Sequence, residues 1–212
     1  MRITQLRERL ADMPLLPVMP VTSVRAAIED IEQLTAMGVG VIEILLRTPQ
    51  ARVALEEARK RFARCLFGAG TVMNAGHVCA AVAAGADFLV SPGLTPALRK
   101  LVADTKLPHI PGVQTASEVM AAVECGYDLL KYYPSGASNG PVVLADYANI
   151  FAGVGFVPTG SIDAGVLPSY GALRNVVAVG GSWMLPSKAP IDITEFQRQV
   201  SAFKTARQPS SN

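Results

Sequence analysis

The chain has 212 residues, half of them hydrophobic, 17% charged and only 6% aromatic, with a formal net charge of +2. That length supports one large core and excludes two comfortable domains. The balanced charge, with no Lys/Arg block beside clustered aromatics, excludes a nucleic-acid footprint. No apolar run reaches the length of a membrane span. No signal-peptide core follows the charged start at Arg2, Arg7, Glu8 and Arg9, so a cytoplasmic protein without a leader is expected. Cys65, Cys79 and Cys125 show no C-x-x-C spacing and read as reduced, small hydrophobes. His77 and His109 lie far apart and no acidic cluster joins them, so no protein-built metal site is expected.

The opening segment, about residues 3–11, has a helical pattern, and the run Leu15-Leu-Pro-Val-Met-Pro-Val21 reads as a buried strand. A helix over 24–37 follows and stops at Gly38, a C-cap signal. Residues 39–46, Val-Gly-Val-Ile-Glu-Ile-Leu-Leu, are nearly all apolar and rich in branched side chains, as in a strand buried on both faces. Thr48 and Pro49 supply an N-cap and a first helical residue. That helix closes on the basic stretch 59–64, where cations suit the dipole.

The same grammar repeats. Strand 65–70 leads to a helix near Asn74, strand 87–93 to Thr95-Pro96 and a helix, and strand 108–112 to the capping box Thr115-Ala-Ser-Glu118. The run Tyr127-Asp-Leu-Leu-Lys-Tyr-Tyr-Pro134 leads to a helix over 141–150, and strand 155–160 to Asp163 and a short helix. Strand 174–181 leads through a loop to Asp192-Ile-Thr-Glu195 and the last helix. Eight strand–helix units without a linker predict parallel sheet, and a single (β/α)8 barrel with an extra N-terminal helix. The alternative is a doubly wound open sheet, but no Gly-x-Gly-x-x-Gly follows the first strand. One domain over 1–212 is expected, with the N-terminal helix in 1–13 and a frayed tail over 207–212.

Strand periodicity of two places Val39, Val41, Glu43, Leu45 and Arg47 on one face, and Ile42, Ile44 and Leu46 on the other. The all-apolar face should meet the helices, which turns Glu43 and Arg47 inward. Tyr127, Leu129, Lys131 and Tyr133 likewise share a face. A carboxylate, a guanidinium and an ammonium thus converge toward the carboxyl ends of the strands, where barrel enzymes keep their sites. Lys131 read alone is a strand-end lysine reaching solvent, and Glu43 read alone is one half of a structural ion pair with Lys131 or Arg47. Thr71, Pro92, Gly112, Gly160-Ser161 and Gly181-Ser182 sit just past strand ends, and each taken singly is a cap or turn former. Thr159-Gly-Ser161 and Gly180-Gly-Ser182 end the seventh and eighth strands, where barrels often bind phosphate through exposed backbone N–H groups.

The segments Ile42-Glu-Ile-Leu-Leu-Arg-Thr48, Gly68-Ala-Gly-Thr-Val72, Ser91-Pro-Gly-Leu-Thr95, Ile110-Pro-Gly112, Leu130-Lys-Tyr-Tyr-Pro134, Pro158-Thr-Gly160 and Gly180-Gly-Ser-Trp183 fall in order and at sensible spacing. Together they resemble the 2-keto-3-deoxy-6-phosphogluconate (KDPG) aldolase family, also called 2-keto-4-hydroxyglutarate (KHG) aldolases. The resemblance implies a class I aldolase in which Lys131 forms the Schiff base and Glu43 is the general acid/base, acting through a water. It implies that Arg47 and Thr71 hold the pyruvate carboxylate, Pro92 shapes the pocket wall and Tyr133 packs beside the imine. Thr159, Gly160, Ser161, Gly180, Gly181 and Ser182 form the phosphate end. It further implies a keto-acid phosphate substrate, a cytoplasmic homotrimer, and no metal or organic cofactor.

Two positions depart from the relatives' usual pattern. Tyr133 stands where Phe is usual and adds a hydroxyl, and Ser161 stands where Gly is usual; both bear on substrate preference more than on the reaction. Relatives acting on the galactonate isomer carry Arg at the end of the first strand and Asn-Ser at the positions of Arg47-Thr48. This chain has Pro20-Val21 and Arg47, which favours the gluconate branch. The rival readings are a phosphosugar decarboxylase, a metal-dependent pyruvate aldolase, and a non-catalytic phosphosugar-binding barrel. A decarboxylase needs an Asp-x-Lys cluster, whereas Leu129 precedes Lys131 by two residues. The carboxylate–histidine ligand sets of metal aldolases are not apparent.

Overall fold

The computed structural model describes residues 2–188 and 193–207. Helix α1 (Ile3–Asp12) precedes a strict alternation: β1 (Leu15–Pro20), α2 (Val24–Ala36), β2 (Val41–Leu45), α3 (Pro49–Arg61), β3 (Leu66–Gly70) and α4 (Ala75–Ala83). It continues through β4 (Phe88–Val90), α5 (Pro96–Thr105), β5 (His109–Ile110), β6 (Gly112–Val113), α6 (Ala116–Glu124) and β7 (Leu129–Tyr132). After these come α7 (Gly140–Ile150), β8 (Gly155–Pro158), α8 (Leu167–Gly171), β9 (Val179–Gly181) and α9 (Ile193–Arg207). Ser23, Thr48, Asn74, Thr95 and Thr115 each cap the helix that follows, accepting from an amide of its first turn. Helix starts are therefore set locally, each at the end of a loop leaving a strand.

All ladders are parallel. One runs β5-β4-β3-β2-β1-β9 and the other β6-β7-β8. The expected fifth strand is split at Pro111, which has no N–H to donate. The carbonyl of Pro111 still accepts from Lys131 N at 2.8 Å. The expected strand over 174–181 narrows to β9, and single bridges, Phe156 to Val176 and Thr159 to Gly180, link it to the β8 side. The architecture is a curled parallel α/β sheet wrapped by helices.

Two apolar clusters follow from strand parity. On the concave face Leu16, Val41, Phe88, Val90, Ile110, Leu129 and Val157 meet Leu6 and Leu10 of α1, so the extra helix plugs the amino-terminal end of the curl. On the convex face Ile42, Ile44, Leu130 and Tyr132 pack against the helices. The inward set expected for the second and sixth strands needs two corrections. Val39 and Tyr127 lie outside the regular strands and pack with the convex cluster, because parity holds only where the pleat does.

All three cysteines are free: Cys65 is buried, whereas Cys79, on α4, and Cys125, the C-cap of α6, are exposed. Arg207, expected to open a frayed tail, closes α9 and donates to the Val176 carbonyl. The expected cap at Asp192 and the rest of the tail, 208–212, lie outside the described residues. Among the described residues no helix is long and apolar enough to cross a membrane, and no group of three or more His, Cys, Asp or Glu could hold a metal ion.

Candidate active site

Lys131 is the third residue of β7, with Gly112 and Val157 level with it on the neighbouring strands. Both it and Glu43, the third residue of β2, project onto the concave face. There the Lys131 ammonium donates to Glu43 Oε1 at 3.1 Å and to Oε2 at 3.3 Å. The Glu43 side chain is fully buried and that of Lys131 only 8% exposed. Charges so desolvated persist only when paired and hydrogen-bonded. Gly70 makes the arrangement fit: a Cβ there would stand 2.3 Å from Glu43 Oε1 and 2.8 Å from Leu45 Cδ2. The Lys131 nitrogen also lies over the Tyr133 ring, 5.6 Å from its centroid.

Arg47 follows β2 at its carboxyl end and is exposed. Its Nε donates to Thr71 Oγ1 at 3.0 Å. Thr71, just past β3, has φ 62, a left-handed conformation that is costly for a β-branched residue. This strained turn places its hydroxyl against the guanidinium.

Opposite, the turn after β8 runs through Gly160 at φ 94 and Ser161 at φ 52. Its carbonyls are held from beneath: Thr159 O accepts from Ser135 N and Gly160 O from Gly136 N, each at 2.9 Å. Glycine is required at 160, since a Cβ would press to 2.9 Å on the Tyr133 ring. After β9, a Cβ on Gly181 would collide with the Trp183 ring at 1.7 Å.

These turns enclose a cavity of about 480 Å³ lined by Leu45, Arg47, Lys131, Tyr133, Thr159, Gly160, Ser161, Gly181 and Ser182. It lies at the carboxyl ends of the strands, the end at which parallel α/β sheets bind ligands. A cavity of about 550 Å³ opens at the amino-terminal end, lined by Arg9, Arg61, Arg64 and Cys65. It holds no acid–base pair, and burial pushes the Cys65 thiol up to about 12, which leaves it protonated and inert. Of the two, the first cavity brings together a buried amine, a carboxylate touching it, a guanidinium at one edge and glycine turns at the other.

The family model for KDPG and KHG aldolases matches residues 6–200. The chain belongs to the KDPG and KHG aldolase family. It is 38% identical to the KHG/KDPG aldolase of Escherichia coli (strain K12), over 83% of this chain and 83% of that protein. With the 2-dehydro-3-deoxy-phosphogluconate aldolase of Zymomonas mobilis it shares 39% identity, over 92% of this chain and 95% of that one. A solved KDPG aldolase from Legionella pneumophila, with pyruvate captured as a covalent carbinolamine intermediate, is 36% identical with a TM-score of 0.83, covering 97% of this chain and 98% of that one.

For this member of the aldolase family, strand parity located the Glu43–Lys131 pair and the Arg47 edge correctly in space. Thr71 does not line the cavity itself and joins it through Arg47. Pro92 and Gly180 do not line it either. Pro92 packs its carbonyl where a Cβ on Gly112 would stand, at 2.2 Å, and Gly180 sits against Thr159 Oγ1 in the same way, at 2.6 Å. Seven lining residues were not among the site residues read from the sequence: Val18, Pro20, Leu45, Pro134, Ile162, Trp183 and Lys188. Val18 follows from the parity of β1, but Lys188 lies in an irregular loop where no period predicts direction.

Proposed function

We propose that the chain reversibly cleaves 2-keto-3-deoxy-6-phosphogluconate to pyruvate and D-glyceraldehyde 3-phosphate, and also cleaves 4-hydroxy-2-oxoglutarate to pyruvate and glyoxylate, through a Schiff base on Lys131. The observation that carries this reading is the buried amine–carboxylate contact at 3.1 Å, opening on the cavity. An amine must be neutral to attack a keto carbon, and Glu43 is placed to take the ammonium proton. Attack of Nζ on C2 gives a carbinolamine, and loss of water gives a protonated imine. Glu43, through a water, removes the proton of the C4 hydroxyl; the C3–C4 bond breaks, its electron pair passes to the imine nitrogen, and the aldehyde leaves. The resulting enamine takes a proton at C3, and hydrolysis frees pyruvate and the lysine.

In this reading Arg47, braced by Thr71, binds the pyruvate carboxylate with its planar fork. Tyr133 packs beside the imine, and Pro92 backs the wall. Thr159, Gly160, Ser161, Gly180, Gly181 and Ser182 make the phosphate end, Thr159 and Gly180 by supporting the turns. The same proposal makes residues 1–212 one domain and joins the two ladders into a closed (β/α)8 barrel. The bridges from β8 to Val176 and Gly180 and the one-residue gap at Pro111 support that closure. A cytoplasmic homotrimer without metal or organic cofactor completes the family resemblance.

Borohydride reduction in the presence of pyruvate should leave a stable adduct on the peptide bearing Lys131. Folded protein that yields no adduct would sink the mechanism. Cleavage rates on the phosphorylated gluconate, its galactonate isomer and 4-hydroxy-2-oxoglutarate then fix the substrate, and the gluconate is expected to lead.

A further inference from the structure

We propose that Lys188, held at the cavity rim by a clamp from Asp30, is the cation that selects phosphorylated over unphosphorylated substrate; this rests on the aldolase reading above. Among the described residues lining the cavity the cationic side chains are Arg47, Lys131 and Lys188. Lys131 is committed to Glu43 and to the imine, and Arg47 faces the carboxylate end beside Thr71. A phosphoryl group adds about 1.5 to 2 negative charges near neutral pH. Ser161, Ser182 and their backbone amides bring donors to that end but no net charge. Lys188 is the cation left, and among the described residues no carboxylate pairs with it.

Its position is built, although it lies in a loop. Asp30, on α2, is a carboxylate only 6% exposed. It accepts from the Ser187 amide at 3.1 Å and from the Ser187 hydroxyl at 2.6 Å, across 157 residues of sequence. A buried carboxylate is costly unless satisfied, and this one is satisfied by the residue immediately before Lys188. A second tether holds the loop earlier, where Trp183 Nε1 donates to the buried Gln199 at 3.2 Å. Met184 and Leu185, both fully buried, anchor the stretch between. The stretch from Trp183 to Ser187 is thus tethered at both of its ends, which sets the backbone that carries Lys188 to the cavity mouth. Asp30 is the positioning residue and Lys188 the contact.

The test is steady-state kinetics of wild type, Lys188→Ala and Lys188→Arg on the phosphorylated gluconate and on 4-hydroxy-2-oxoglutarate. Lys188→Ala should raise KM for the phosphorylated substrate by about tenfold, the loss of one charge-assisted contact, with kcat little changed. KM for the unphosphorylated substrate should stay within about twofold, and Lys188→Arg should restore most of the preference. Inorganic phosphate should inhibit Lys188→Ala more weakly than wild type. Asp30→Ala should give the same selective KM rise; Ser187→Ala, which deletes only the hydroxyl contact, serves if Asp30→Ala does not fold. A Lys188→Ala enzyme with both KM values unchanged, or both raised alike, overturns the proposal while leaving the aldolase reading intact. A folded wild type that cleaves neither substrate and forms no imine overturns the aldolase reading, and this proposal with it.

Discussion

His109 offers a quantitative test of how burial shapes this fold. It lies in β5 at 5% exposure, with Nε2 2.9 Å from Ser91 Oγ and Nδ1 3.1 Å from Tyr127 Oη. The Ser91 hydroxyl donates to Gly93 O at 2.6 Å, so its oxygen is left to accept from His109. That network assigns the proton to Nε2 and leaves Nδ1 to accept from Tyr127. Burial lowers the imidazole from 6.5 to about 4, because the cation would be desolvated. Between those values the unfolded chain binds a proton that the folded chain refuses, so stability falls as pH drops through this window. The cost is absent above the unfolded value and complete below the folded one. At 1.36 kcal/mol per unit it reaches about 3.4 kcal/mol, of which about 2.5 is present by pH about 4.5. Urea unfolding of wild type and His109→Gln at pH about 7 and about 4.5 measures it. The variant should be the less stable at the higher pH, having lost fitted hydrogen bonds, and should gain about 2.5 kcal/mol on wild type at the lower. The Glu118 carboxyl, lowered by its hydrogen bonds to Thr115 and Gln114, adds acid sensitivity of the same sign, but it cancels between the two proteins. Parallel pH profiles for the two proteins would refute the reasoning.

Four further outcomes are expected. Ser161→Gly relieves a non-glycine residue at φ 52 and should raise stability by about 0.5–1 kcal/mol in urea unfolding, the relief exceeding the added chain entropy; a loss would mean that the hydroxyl has a compensating role. Lys131→Met strands the fully buried Glu43 and should cost about 3–5 kcal/mol, whereas the double variant with Glu43→Gln should recover most of that; strict additivity in the cycle would deny the coupling. Glu43→Gln alone should slow turnover at least about a hundredfold while imine trapping by borohydride persists. Gly70→Ala places a methyl 2.3 Å from Glu43 Oε1 and should depress kcat without unfolding the chain; full activity would show that the carboxylate has room to move.

Much of the architecture was legible because its determinants are local. Thr48-Pro49, Thr95-Pro96 and the Thr115–Glu118 box start helices through contacts within one turn, and each starts a helix where expected. Period-two reading turned Glu43 and Lys131 to the same side because a pleat fixes direction over a few residues. It failed at Val39 and Tyr127, where the pleat had ended, and the expected continuous fifth strand is broken at Pro111, whose missing amide interrupts the ladder.

The sequence by itself determined the alternation of strands and helices, the capped helix starts, the inward charges and the family to which they belong. Only the tertiary structure decided which inward groups touch. The 88 residues between Glu43 and Lys131 carry no local signal for a 3.1 Å contact. The space for that carboxylate is set by a glycine on the adjoining strand, and the loop bearing Lys188 by a carboxylate 157 residues away. Periodicity encodes the face a side chain takes, because it is a property of one strand or helix. Distance across the sheet depends on twist, register and the volumes of neighbours, which exist only once the chain has closed on itself.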